Sequence, residues 1–474
     1  MDSGTNTKAW KKGLLLVSWL LISWNSGAQR PNIIYIYTDQ QHARMMSCAG
    51  NPWLQTPSMD YIAENGIQFT RAYTTNPVCV PARVSLMTGR FPSAFRDENG
   101  GVVRSNPMAT RISEIPDEIR ASTVADYLKR AGYALYYGGK EHLPPPLRPD
   151  TLGFTNISKN ERYELAEAAA SFIKTGHKKP YFMILSLINP HDICYMAIRD
   201  FATTAFDSLL IRKGDQEIAA LNWAMQKPQG MSDQEFFASH CPPVPPNLEP
   251  QMDEPEALKH LINSRPFRKK ARENYTDEDW RMHRYAYCRL TERVDSQIQI
   301  VLDALKESLQ EENTLVLFSS DHGDHDASHR MEHKSTLYEE SANVPFLAMW
   351  KGHIPSGQKD TTSLISNGLD LLPTVCDYAG IRATADPRGR SLRPLFEGRQ
   401  KGWRETLGVE SEVGRMVVSA EGYKYIQYDL KGFEEQLLDL NRDPYETRHY
   451  THSKKHRSTL RKLRKAFKEE WFGE

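Results

Sequence analysis

Short apolar runs alternate along the chain with segments whose apolar residues recur every three or four positions. Asn32-Ile-Ile-Tyr-Ile-Tyr-Thr38 is apolar at successive positions and runs into Asp39, the pattern of a strand covered on both faces. Met59 to Asn65 predicts a short helix closed by Gly66. Cys79 to Thr88 predicts a helix with Pro81 in its first turn. Thr123 to Arg130 predicts a helix stopping at Gly132, followed by a strand over Tyr133 to Tyr137. The same pairing recurs as a helix from Tyr163 to Lys174 and a strand from Tyr181 to Ile188. Asp277 to Leu309 is a long amphipathic helical stretch with room for one break. Strands are predicted at Thr314 to Ser319 and Asn343 to Trp350. Leu369 to Tyr378 is the last core helix, where Pro373 is tolerable only in a first turn.

This alternation predicts an α/β fold, with a large, mostly parallel mixed sheet flanked by helices. In such sheets chemistry gathers where strands end. Asp39, Asn189-Pro190-His191 and Asp321-His322 all stand at predicted strand ends. Residues 203–272 break the pattern with Pro242, Pro243, Pro245, Pro246 and Pro250, and read as a surface insertion facing a substrate. Beyond 405, Met416 to Ser419, Lys424 to Tyr428 and Glu434 to Leu440 predict antiparallel strands turning at Gly422 and Gly432. His452 to Phe472 predicts a basic helix packing on that smaller C-terminal sheet through Leu460, Leu463 and Phe467. The expected division is 1–28, 29–404 with the 203–272 insertion, and 405–474.

Composition narrows the function classes. Sixty basic against sixty acidic residues leave a formal net charge of zero, so nothing in the charge calls for a nucleic-acid partner. Six scattered cysteines in 474 residues make no disulfide scaffold and no zinc ribbon. At the N-terminus Lys8, Lys11 and Lys12 precede the apolar run Gly13 to Trp24 and the small residues Ser26, Gly27 and Ala28. That order predicts a signal peptide, export to the periplasm or exterior, and no integral membrane segment after cleavage.

The candidate chemistry centres on acids, histidines and one cysteine. Asp39, Asp321 and His322, with the Gln40 amide, suit a hard cation if their strands are neighbours. The cluster Asp321-His-Gly-Asp-His-Asp326, with His329 and His333 beyond, suits zinc equally well, or no metal at all. Cys79, opening a helix near Arg83, suits a nucleophile, a redox thiol or a buried structural cysteine.

The segment Cys79-Val80-Pro81-Ala82-Arg83, followed by Thr88-Gly89, resembles the C-x-P-x-R signature of the type I sulfatases, within the alkaline phosphatase-like superfamily. Further landmarks follow in order: Pro31-Asn32-Ile33 leading to Asp39, Gly139-Lys140-Glu141-His142, Asn189-Pro190-His191, Ser320-Asp321-His322-Gly323, Lys334, and Glu435 to Glu446. Leu438 stands where that last motif commonly has tyrosine. The resemblance, which extends to exported bacterial glycan sulfatases, implies a sulfuric ester hydrolase. It implies that Cys79 is oxidised to formylglycine by a maturation enzyme and that one hydroxyl of the aldehyde hydrate attacks sulfur. It further implies one calcium ion on Asp39, Gln40, Asp321, His322 and the modified Cys79. Arg83 would support the nucleophile. Lys140, His191 and Lys334 would neutralise charge, with His191 or Lys334 near the leaving oxygen, and His142 would accept the second hydroxyl's proton. Arg44 and Arg90 are candidate rim residues. His325, His329, His333 and Glu332 carry no assigned role. A sulfated saccharide is the expected substrate. Gln40 in place of a second acid, and His322 in place of asparagine, keep a phosphonate or phosphate ester hydrolase as the alternative. A non-catalytic glycan-binding scaffold is the third reading, although no key residue is missing.

Overall fold

The computed structural model describes residues 1–2, 30–383, 386–400, 402–430 and 434–473. The signal-peptide segment and the Gly432 turn lie outside the described residues. Among the described residues, no helix is long and apolar enough to cross a membrane.

The main sheet contains β1 (Asn32–Asp39), β2 (Ile67–Tyr73), β3 (Ala134–Gly139), β4 (Thr155–Asn156), β5 (Tyr181–Pro190), β6 (Thr314–Ser320), β7 (Asn343–Met349), β8 (Gln358–Asp360) and β9 (Ile365–Ser366). Its order is β4-β3-β5-β1-β6-β7-β2-β8, with β9 also on β2. The four central strands β3, β5, β1 and β6 are mutually parallel, while β7 runs antiparallel to β6 and to β2. The fold is therefore the expected α/β class.

β1 explains why the sheet is covered on both faces. Ile33, Tyr35 and Tyr37 join the apolar cluster on one side, and Ile34 and Ile36 join the cluster on the other. Full burial of each such side chain contributes about 1.5–3 kcal/mol. One covering layer includes the helices Cys79–Thr88, Val124–Arg130 and Asn367–Tyr378. The other includes Leu165–Lys174 and the helix Asp277–Glu307. That long helix is continuous over 31 residues, without the break the pattern allowed, and Thr276 and Asp279 form a reciprocal cap at its start.

Pro373 corrects the sequence expectation. The helix begins at Asn367, so the proline lies in its interior rather than its first turn. It removes the donor that would meet the Leu369 carbonyl. A Cβ on Gly389 would stand 2.5 Å from that oxygen, so a neighbouring segment covers the gap.

Residues 203–272 are mostly helical, with helices at Ala205–Lys213, Asp215–Ala224, Asp233–Ser239 and Glu256–Asn263, and a fifth, Pro266–Asn274, running past the segment's end. Leu221, Ala224, Leu248 and Phe267 give them their own apolar cluster with Trp280 and Tyr287 of the long helix. The smaller sheet is β10 (Thr406–Ser411), β11 (Gly414–Ser419), β12 (Tyr423–Tyr428) and β13 (Glu435–Asp439), antiparallel in that order. The helix Arg457–Phe472 packs on it through Leu460, Leu463 and Phe467 against Val417, Tyr425 and Leu437.

Candidate active site

Four parallel neighbours deliver four residues to one edge of the sheet. β3 ends before Lys140, β5 before His191, β1 at Asp39 and β6 before Asp321. Two glycines make the close approaches possible. At Gly139, with φ of 91°, a Cβ would stand 2.1 Å from the Ser186 carbonyl oxygen. At Gly323 it would stand 2.0 Å from that of Glu340.

Cys79 is the first residue of its helix and is buried against this edge. Its Sγ lies 3.1 Å from His322 Nε2, 3.7 Å from Asp39 Oδ1 and 3.1 Å from Lys334 Nζ. Burial and Asp39 push the thiol pKa up, but Lys334, His322 and Lys140 together hold it well below the ordinary thiol range. The other cysteines are free thiols, and Cys194, Cys241, Cys288 and Cys376 are buried. Burial pushes the Cys194 thiol up to about 12, the opposite direction to Cys79.

Arg83, one helical turn after Cys79, ties the edge together. Its Nη2 donates to Asp39 Oδ2 at 2.8 Å and its Nε to Asp321 Oδ2 at 3.0 Å. Its Nη1 reaches Tyr37 Oη, the Lys140 carbonyl and Ser186 Oγ, each at 2.8 Å. Lys140 Nζ adds an ion pair of 2.6 Å to the same Asp39 oxygen. The Oδ2 atoms of both acids thus face cations. Asp39 Oδ1 is left toward Cys79 and His322, and Asp321 Oδ1 lies 3.5 Å from His322 Nε2 while accepting from the backbone N–H groups of Gln40 and His322.

This arrangement fits a cation. Asp39, Cys79, Asp321 and His322 each offer a ligand atom, all within 4.8 Å of one another. Around an ion bound at 2.3–2.6 Å, ligands at right angles stand roughly 3.3–3.7 Å apart, close to the spacings here. His322 Nδ1 donates to the Gly323 carbonyl at 2.9 Å, which leaves the Nε2 lone pair free to ligate.

Gln40 has φ of 72° and is clamped. Its amide nitrogen donates to Asp324 Oδ2 at 2.6 Å, and its Oε1 accepts from Lys334 Nζ at 2.7 Å and from Cys194 Sγ at 2.9 Å. That oxygen therefore faces Lys334 rather than standing free beside the acids. His191 is partly exposed, and its Nδ1 lacks a hydrogen-bond partner, 3.9 Å from Asp192. Burial and the neighbouring Lys140 push its pKa down to about 4, so its imidazole is neutral at neutral pH. His142 is exposed with φ of 41°, and no hydrogen bond joins it to the cluster.

Arg44 ion-pairs with Glu340, and the Arg90 guanidinium meets Ser122, so neither joins the Cys79 cluster. His329 Nε2 lies 3.4 Å from Asn247 Nδ2, within the Glu340 network, and His325 Nε2 lies 2.9 Å from Thr336 Oγ1. His333 packs on Phe267. Sequence reasoning missed Tyr37, Ser186 and Asp324. A tyrosine or serine within an apolar strand pattern gives no signal distinct from core. Asp324 was visible only as one acid in the cluster after β6.

The model of the Sulfatase family matches residues 31–381, and that of the C-terminal region of N-sulphoglucosamine sulphohydrolase matches residues 327–471. A Delta 4,5-hexuronate-2-O-sulfatase of Bacteroides thetaiotaomicron is 26% identical over 91% of this chain and 87% of its own. An arylsulfatase of Clostridium perfringens is 26% identical over 92% of this chain and 93% of its own. The solved structure of a 2-O GAG sulfatase superposes with a TM-score of 0.76 at 26% identity, covering 93% of this chain and 91% of that one.

Proposed function

The chain belongs to the sulfatase family, the sulfuric ester hydrolases, and on that premise we propose that it removes sulfate from a sulfated saccharide. The nucleophile in this reading is formylglycine, made from Cys79 by a maturation enzyme, with one calcium ion beside it. The observation that carries it is the meeting of Cys79 Sγ with Asp39, Asp321 and His322 on one side and Lys334 on the other. Support for a saccharide comes from relatives named for hexuronate and for GAG.

Asp39, Asp321 and His322 would hold the calcium, and Gln40 would join them only by releasing Lys334. Bound there, calcium supplies Lewis-acid polarisation of sulfate oxygens, and matured Cys79 supplies an aldehyde hydrate as nucleophile. The remaining tasks fall to fixed side chains. Arg83 holds both acids in place while also bonding to β5 and to the residue after β3. Lys140 and Lys334 place positive charge beside the oxygens on which negative charge develops in the transition state. His191, neutral at neutral pH, offers a ring N–H to the leaving oxygen while Lys334 supplies the cationic donor. His142 would accept a proton as sulfate departs.

The N-terminal pattern of Lys8 to Ala28 supports export to the periplasm or exterior, which N-terminal sequencing of the mature protein would test. The clamped Gln40 in place of a second acid, with His322 as imidazole ligand, favours phosphonate or phosphate ester hydrolysis as the second reading. The deciding experiment has two parts. Mass spectrometry of the Cys79 peptide, from protein made with a working formylglycine-generating partner, should give the aldehyde or its hydrate. Turnover of matched sulfate, phosphate and phosphonate esters should then favour sulfate. An unmodified thiol rejects the nucleophile, and faster phosphodiester turnover rejects the sulfatase assignment.

A further inference from the structure

Asp324 stands three residues beyond Asp321 in the loop after β6 and is fully buried. Asp39 and Asp321 meet Arg83, and Asp326 meets Arg284. Asp324 is held differently, by three neutral N–H groups. Its Oδ1 accepts from the Asp326 N–H at 2.7 Å, and its Oδ2 accepts from Gln40 Nε2 at 2.6 Å and from the His333 N–H at 3.1 Å. Two of those donors lead to Lys334.

The first route runs through a side chain. An ionised carboxylate only accepts hydrogen bonds, and an ammonium only donates them. Set between the two, the Gln40 amide has one orientation, nitrogen to Asp324 and oxygen to Lys334 at 2.7 Å. The same ammonium donates to Cys79 Sγ at 3.1 Å. The second route runs through the backbone, because His333 directly precedes Lys334. His333 and Ser335 have φ of 68° and 89°, left-handed conformations that residues other than glycine hold only under constraint. The Asp324 bond to the His333 N–H supplies constraint on one side. The bond from the Ser335 N–H to the Pro77 carbonyl, at 3.1 Å, supplies it on the other. An asparagine in place of Asp324 would spare the fold a buried charge. It would also carry an N–H₂ of its own, so it could not accept on both sides, and the Gln40 amide would lose its fixed orientation.

We propose that Asp324 is a positioning residue: through the Gln40 amide and the His333 N–H it holds the Lys334 ammonium beside Cys79, where a sulfate ester would meet it. The assignment rests on the sulfatase reading of the Cys79 site.

The test is a double-mutant cycle of Asp324→Asn and Lys334→Ala in matured protein saturated with Ca²⁺, with the mass of the Cys79 peptide checked in every variant. Asp324→Asn alone should lose about 10- to 100-fold, mainly in kcat, because Lys334 acts on charge that develops in the transition state. In the Lys334→Ala background the same change should cost less than about threefold more. Equal fold-losses in both backgrounds are what a merely structural aspartate gives, and they overturn the proposal. Gln40→Glu gives a second check. Alone it sets two carboxylates against each other and should lose activity. Combined with Asp324→Asn, its carboxylate accepts from the introduced amide and from Lys334, so most of the lost kcat should return. No return overturns the proposal. If Asp324→Asn does not fold, Gln40→Leu cuts the same link from its other end and takes its place in the cycle. Calorimetric binding of inorganic sulfate and phosphate to the same variants separates this inference from its premise. Binding should weaken about tenfold in Asp324→Asn and hardly change further in the Lys334→Ala background. If that coupling holds while no sulfate ester is turned over, the sulfatase reading fails and the role of Asp324 stands. If the coupling is absent, the role of Asp324 fails whichever ester is turned over.

Discussion

Arg83 shows how much geometry one side chain can set. It is fully buried and holds β1, β5, the residue after β3 and the residue after β6 through Tyr37, Asp39, Ser186, Lys140 and Asp321. Lysine cannot reproduce that fork. Arg83→Lys is therefore expected to lower kcat by about 10²–10³-fold, read together with the mass of the Cys79 peptide so that failed maturation is told apart from failed chemistry. Asp39 and Asp321 have a different dependence, because their Oδ1 atoms line the candidate cation site. Chelation should abolish turnover and lower Tm, and added Ca²⁺ should restore both in wild type but not in Asp321→Asn. At 100 times Kd the ion would add about 2.7 kcal/mol of stability. Cys79, Arg83, Asp39 and Asp321 could be named from their motifs because each motif is contiguous. Tyr37 and Ser186 could not, since what distinguishes them is the guanidinium that another segment brings to them.

At the scale of elements, tight backbone crossings set the positions of the motif side chains. Gly139 allows β3 to lie against Ser186 so that Lys140 reaches Asp39. Gly139→Ala combines a positive φ with a collision, so it should cost about 1–3 kcal/mol in denaturant unfolding and reduce activity beyond that loss. The C-terminal helix is further from the chemistry. Phe467→Ala, at a side chain 3% exposed, should cost about 3–5 kcal/mol while kcat of the folded fraction stays near wild type. Apolar runs such as β1 and β6 were legible because both faces are covered. β2 and β10 were not predicted. β2 carries Gln68, Thr70 and Arg71 among its apolar residues, and β10 has Gly408 and Glu410 in its middle. Distant partners meet their polar side chains: Arg71 donates to the Ser419 and Ala420 carbonyls, and Glu410 Oε1 accepts from the Ser93 N–H.

At the scale of the whole molecule, distant segments meet around Glu340. Arg44 follows β1, Asn247 belongs to the 203–272 segment, and Tyr445, whose carbonyl accepts from Asn247 at 2.9 Å, follows β13. Burial alone would raise the Glu340 pKa, but Arg44, His329 and His325 lower it from 4.5 to about 2. A depressed carboxylate pKa means that stability is fully present above pH 4.5 and is lost as pH falls toward about 2. Glu340→Gln should therefore flatten the acid decline of Tm in that window and leave the neutral-to-alkaline profile parallel to wild type. Local pattern was enough to determine the α/β class, the helix-on-sheet C-terminal unit and the motifs that carry the chemistry, because burial periodicity and contiguous signatures are properties of neighbouring residues. Tertiary structure alone decided that β3, β5, β1 and β6 lie side by side, and that Gln40 turns its oxygen to Lys334. Each of those depends on which remote segments pack together, and the free energy that selects that packing is spread over the whole core.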